Sequence, residues 1–165
     1  GGKPVSDAFR TAYGDKKLFY PGGRLTADRK YLEILEQELD AQIQKLISSG
    51  IALHHIDSHH HKHTNWPVAK IVVRLAKKYG GVRIRVAGNV LYPSAFHKQV
   101  YRSLLNNYFK KHSNPQNHIP NLARLEKFMA VNPTINGDSI ELMTHPGMEQ
   151  DYKLLNSQAF LNFLK

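Results

Sequence analysis

Two short apolar runs lie on either side of an amphipathic helix that opens on a proline, and this succession limits the folds open to the chain. The first run, "IALHHIDS" from Ile51 to Ser58, has the length of a strand and delivers its last residues into a cluster of histidines. Pro67 then starts a helix at a position where its missing N–H costs nothing. Val68, Ile71, Val72 and Leu75 make that helix's apolar face, and "YGG" from Tyr79 stops it. "VRIRV", Val82 to Val86, alternates as a strand does. A strand, a helix and a strand in this order call for a mostly parallel sheet.

The remaining segments extend the alternation. A helix begins near Thr26, its expected cap, with Asp28 as a negative charge in the first turn. Leu32, Leu35, Leu39, Ile43, Leu46 and Ile47 share one face of it, and Gly50 ends it. A third helix is expected from Ser94 to about Lys110, with Phe96, Val100, Leu104 and Tyr108 on one side. "HSNPQNHIPN" reads as a loop, and Asn121 caps a short helix carrying Leu122, Leu125 and Phe128. "SIELMTHPG" is a strand followed by a turn, and a last helix bears Leu154, Leu155, Phe160 and Leu164. Residues 1–24, polar and rich in Gly and Pro, read as a connector. The result is an α/β fold, either wound open or closed as a barrel.

A length of 165 residues, 41% of them hydrophobic, suits one domain with a real core. No apolar run is long enough to cross a membrane, and the first residues have no signal-peptide pattern. The absence of Cys removes disulfides and thiolate metal sites and is compatible with a cytoplasmic protein. Any metal must therefore be held by imidazole and carboxylate. The formal charge of +10 is spread over the chain in isolated pairs, so no nucleic-acid arm is expected.

Functional residues of α/β folds collect at the carboxyl ends of strands. Six of the ten histidines fall within the eleven residues of "LHHIDSHHHKH", Leu53 to His63, at such an end. Strand alternation puts His55, Asp57, His59 and His61 on one side, and Ser58 and His60 on the other. Imidazole and carboxylate converging without sulfur suit a divalent metal. His59 is the first candidate ligand, and Asp57 either a ligand or the partner that holds an imidazole in place. His54, His60 and His63 are expected to be packing or surface residues. His145, before Pro146 and Gly147, is a further candidate, as are Arg85 and Arg83 on the second strand, although turn and solvated-strand roles are the commoner fates of such residues. No phosphate loop and no serine-hydrolase elbow is present.

"HIDSHHHKH", the Pro-started helix, "VRIR" and "IELMTHPG" together resemble the YdjC-like carbohydrate deacetylases, which remove N-acetyl groups from chitooligosaccharides and related sugars. "GGKPVSD" is similar to the family's segment just after a metal-binding His. The resemblance implies a TIM-barrel-like (β/α) parallel barrel and a divalent ion, magnesium or zinc. It implies His59 as metal ligand, His145 as the active-site His near the scissile amide, Arg85 as the group orienting a carboxylate or the substrate, and Asp57 as a supporting site residue.

The family's Asp-Asp pair, which supplies a ligand and the catalytic base, and its His before "GGKP" do not occur in this sequence. Residues 1–165 are accordingly expected to be one incomplete catalytic-type domain, its N-terminal metal-binding part and last strand lying outside it, and to be inactive alone. The partner implied is a small carbohydrate, with neither nucleic acid nor membrane, and a homodimer is left open. Two alternatives stand beside this: a metal-dependent amidohydrolase for another glycan or glycolipid, and a non-catalytic basic module binding metal or glycan. Tyr20, Trp66, Tyr92 and Phe96 are aromatics that could stack on sugar rings.

Overall fold

A computed structural model of the chain describes residues 3–14, 28–87, 95–113, 115–116, 118–119, 141–142, 144 and 147–163. By internal contacts it divides into two compact units, Gly1–Ile84 with Asn107–Asn114, and Arg85–Asn106 with Pro115–Lys165. Among the described residues the chain is mixed α/β, mostly helical, with short parallel strand pairs.

In the first unit, α1 (Asp7–Tyr13) occupies part of the segment expected to be a connector. Ser6 explains it: its side chain accepts from the Phe9 N–H, capping the helix. Helix α2 (Arg29–Ser48) is capped by Asp28, which accepts from the Tyr31 N–H. The expected cap, Thr26, lies outside the described residues. Its C-terminus closes with the Gly50 N–H on the Ile47 carbonyl and the Ile51 N–H on that of Leu46. This reversal needs the left-handed φ of +78° that Gly50 supplies. The apolar face differs from the expected one at its end, where Leu46 and Ile47 are exposed while Leu35 is buried.

Helices α1 and α2 are joined by a contact that apolar periodicity does not signal. Glu38 is fully buried, and its carboxylate accepts from the N–H groups of Val5 (2.9 and 3.0 Å) and Ser6 (2.7 Å) and from Gln42 Nε2 (2.7 Å). Burial by itself raises the Glu38 pKa, but the bonds from Gln42, Ser6 and Val5 together outweigh it and hold the group below its ordinary 4.5. The Tyr13 ring meets that of Phe9 at a tilt and that of Tyr31 edge-on, at centroid distances of 5.0 and 5.6 Å.

Strand β1 (His55–Ile56) pairs parallel with β2 (Arg83–Arg85), placing His55 opposite Arg83 and Ile56 opposite Ile84. Between them a six-residue 3-10 segment (His59–Thr64) leads into α3 (Trp66–Lys78). Helix α3 buries Val68, Ala69, Ile71, Val72, Val73, Leu75 and Ala76, a wider face than the four positions that periodicity picks out. It packs on α2, β1 and the 3-10 segment. At its rim Arg74 donates to Glu36 at 2.8 and 2.5 Å, and Lys78 and the Tyr79 hydroxyl both donate to Asp40.

Helix α4 (Phe96–His112) runs through both units. The expected inner face is corrected here: Phe96 is 80% and Leu104 59% exposed, whereas Leu105 and Phe109 are fully buried. In the second unit the Asn106 side chain accepts from the Ala87 N–H at 2.7 Å and donates to its carbonyl at 3.3 Å, tying α4 to the chain after β2. β3 (Pro115–Gln116) and β4 (His118–Ile119) fall in the segment expected to be a loop. β4 pairs parallel with β5 (Glu141–Leu142). The expected last helix is two, α5 (Glu149–Leu155) and α6 (Gln158–Phe163). Ser157 restarts the chain as a cap, its hydroxyl accepting from the Phe160 N–H. The helix expected after Asn121 lies outside the described residues, as does Leu164.

Replacing Glu38 by Ala is expected to lower stability by about 2 kcal/mol, because buried donors left without an acceptor cost about 1–3 kcal/mol. Since the folded pKa is depressed, the contribution is complete above 4.5 and is lost as pH falls through the folded value. Urea midpoints of wild type and Glu38→Ala should therefore converge in acid; a constant gap would contradict the assignment.

Candidate active site

β1 ends at Ile56, one residue before Asp57. Side-chain alternation accordingly stops there, so strand periodicity does not order Asp57, His59 and His61. His59 and His60 instead open the 3-10 segment. His61 takes a left-handed φ of +55°, uncommon for a residue with a Cβ. Its carbonyl accepts from the Thr64 hydroxyl at 2.7 Å.

The segment is organised around Ser58 and His63. The Ser58 hydroxyl accepts from the His63 backbone N–H at 2.8 Å and lies 2.7 Å from Nδ1 of the same residue. His63 is fully buried, its ring 6.2 Å from that of Phe109. The Ser58 N–H donates to Asp57 Oδ1 at 2.5 Å, and that oxygen is 3.5 Å from His63 Nδ1. Serine, histidine and aspartate thus meet, but a catalytic triad needs the serine on one ring nitrogen and the carboxylate on the other. Here both approach Nδ1, so the cluster is a brace and not a nucleophile with its base.

Asp57 keeps 27% of its side-chain surface exposed. His54 and His55 are exposed. Arg85 is 1% exposed while Arg83 faces solvent, so burial separates the two arginines; Arg85 belongs to the second unit. His145 lies outside the described residues, as do Tyr20 and Tyr92. Among the described residues no three acidic or imidazole side chains form a cluster able to hold a metal. None of the described helices is long and apolar enough to cross a membrane.

Residues 2–165 match the family described as YdjC-like protein. The chain belongs to the YdjC-like family. Relatives of the chain are named carbohydrate deacetylase. The one from Clostridium beijerinckii is 28% identical over 96% of this chain and 60% of its own length. That from Oceanobacillus iheyensis is 29% identical over 96% of this chain and 64% of its own. A third, from Brevibacillus brevis, is 33% identical over 76% of this chain and 48% of its own. The chain therefore spans 60% and 64% of the length of the first two relatives. No solved structure matches it.

Within this YdjC-like chain, sequence patterning overlooks the Ser58–His63 brace because it spans five positions and follows neither strand nor helix period. The available signal is a hydroxyl residue immediately before a run of imidazoles, the position of a residue that closes a turn on its own backbone. The ring of Trp66, on the first turn of α3, lies tilted at 5.3 Å from that of Tyr108, which meets His112 edge-on at 4.7 Å.

Lys77 Nζ lies 3.1 Å from His112 Nδ1. Desolvation, then the charges of Lys77 and Lys111, lower the His112 pKa from its ordinary 6.5. Lys77→Met is expected to move the His112 titration, followed by proton NMR, back toward 6.5. A shift to lower pH would contradict this reading.

Proposed function

We propose that this YdjC-like chain is the part of a metal-dependent carbohydrate N-deacetylase that carries one metal-binding histidine. Its substrate would be an N-acetylated amino sugar such as a chitooligosaccharide. The observation that carries the proposal is the family match over residues 2–165, with relatives named carbohydrate deacetylase. The whole enzyme is assigned a TIM-type parallel barrel, a reading supported by the parallel pairs β1–β2 and β4–β5.

The donor set fits a divalent ion in kind. Asp57 and His59 come just after the end of a parallel strand, and the Asp57 side chain is partly exposed while His63 lies in the core. His59, with Asp57, would hold the ion, and the imidazole ligand favours zinc over magnesium. When bound, such an ion polarises the amide carbonyl and lowers the pKa of water.

The protein's own groups would take part of the remaining chemistry of amide hydrolysis; the base that the resemblance assigns to the family's Asp-Asp pair is not among residues 1–165. Asp57, two residues before His59 in sequence, would help to hold the ion or its ligand. Arg85, a fixed cation withdrawn from solvent, would orient a catalytic carboxylate or the substrate. His145 would deliver a proton to the departing amine nitrogen. General acid catalysis of this kind is worth roughly 10²–10⁴-fold.

In the full natural polypeptide, acetate release from N,N′-diacetylchitobiose and bound metal should both disappear in His59→Ala. His145→Ala should keep its metal and lose about 10²–10⁴-fold in turnover. Unchanged metal content and turnover in His59→Ala would remove the assignment.

A further inference from the structure

We infer that His63 is a positioning residue, which acts through the Ser58 hydroxyl to fix the backbone that presents Asp57 and His59. The inference rests on the reading of His59 as a metal ligand and extends it to two residues that touch no substrate.

One hydroxyl ties His63 twice, since Ser58 Oγ accepts its backbone N–H at 2.8 Å and pairs with its Nδ1 at 2.7 Å. His63 is in turn held by complete burial and by its ring on Phe109, itself fully buried in α4. The core therefore supplies a fixed point, and Ser58 is pinned to it. Asp57 and His59 are the two neighbours of Ser58 in sequence, so pinning that residue restricts both. The restraint on Asp57 is direct, since its Oδ1 accepts from the Ser58 N–H and lies 3.5 Å from His63 Nδ1.

The backbone of the segment shows why a restraint is required. A left-handed φ is disfavoured at a residue with a Cβ, and His61 adopts one at +55°. Six residues is also long for 3-10 geometry, whose hydrogen bonds are poorer than those of an α-helix. Left to local preferences, this stretch would relax, and His59 would move with it. The cross-turn bonds from Ser58 and the bond from Thr64 to the His61 carbonyl oppose that relaxation. The energy of ordering the ligand is then met during folding and not when the ion binds, which is how preorganised sites gain affinity.

The test is calorimetric titration of Zn²⁺ into the full natural polypeptide and its variants, with thermal melting to verify folding. Ser58→Ala removes the hydroxyl, and His63→Phe fills the buried slot while deleting the ring nitrogen. Both should bind Zn²⁺ about 10–100-fold more weakly, the usual cost of losing a residue that orients a metal ligand. Ser58→Thr, which keeps the hydroxyl, should restore affinity; a merely structural loss would not separate Thr from Ala in this way. Folded Ser58→Ala and His63→Phe proteins that bind within about twofold of wild type, while His59→Ala does not bind, would overturn the positioning role and leave the ligand assignment intact. Wild-type binding by His59→Ala would instead remove the ligand assignment and the inference with it. Should Ser58→Ala not fold, amide hydrogen exchange of wild-type protein decides: protection of the His63 N–H is expected, and exchange at an open-chain rate would overturn the brace.

Discussion

The burial of α3 is the constraint on which the first unit depends. Seven of its side chains are withdrawn from solvent, and the helix meets α2, β1 and the 3-10 segment. A helix buried on so wide a face constrains the strands before and after it, to which it is joined by nine residues (57–65) and four (79–82). Parallel pairing of β1 with β2 follows, and the polar rim of Glu36–Arg74 and Asp40–Lys78 sets how α2 lies along the helix. Exposed ion pairs contribute little each. Here they add orientation to a contact whose energy comes from apolar burial.

That arrangement leaves one short stretch, Asp57 to Asn65, to turn from the end of β1 into the first residues of α3. The stretch does so with a left-handed histidine and a buried one, and the Ser58 hydroxyl joins its two ends. Chemistry and architecture meet here. The residues proposed to hold an ion flank Ser58 in this turn, and the residue that secures the turn is the buried His63. The deacetylase reading needs both, since an imidazole ligand contributes most when its backbone is already in place.

Elements governed by local rules were legible in the sequence. Pro67 and "YGG" bracket α3, and a left-handed glycine closes α2 where Gly50 suggests. The parallel order of β1 and β2 follows from the helix between them. Misreadings arose where two patterns compete. Helix α4 carries apolar residues both at Phe96, Val100 and Leu104 and at Tyr101, Leu105 and Phe109, and only packing decides that Leu105 and Phe109 go inward. Glu38 was invisible for a different reason: a carboxylate reads as surface until two backbone N–H groups far away in sequence arrive to satisfy it. In the site, Asp57 and His59 stood out by residue type and resemblance. Alternation could not order the histidines, because the strand it assumed ends at Ile56. Ser58 and His63 gain their roles only from the turn that brings them together.

Anomalous diffraction from crystals of the full natural polypeptide grown with Zn²⁺ tests the account most directly. A zinc peak bonded to the His59 imidazole is expected, with the His63 ring still turned to Ser58 and bearing no metal. A peak on His63, or a zinc site that does not include His59, would contradict it.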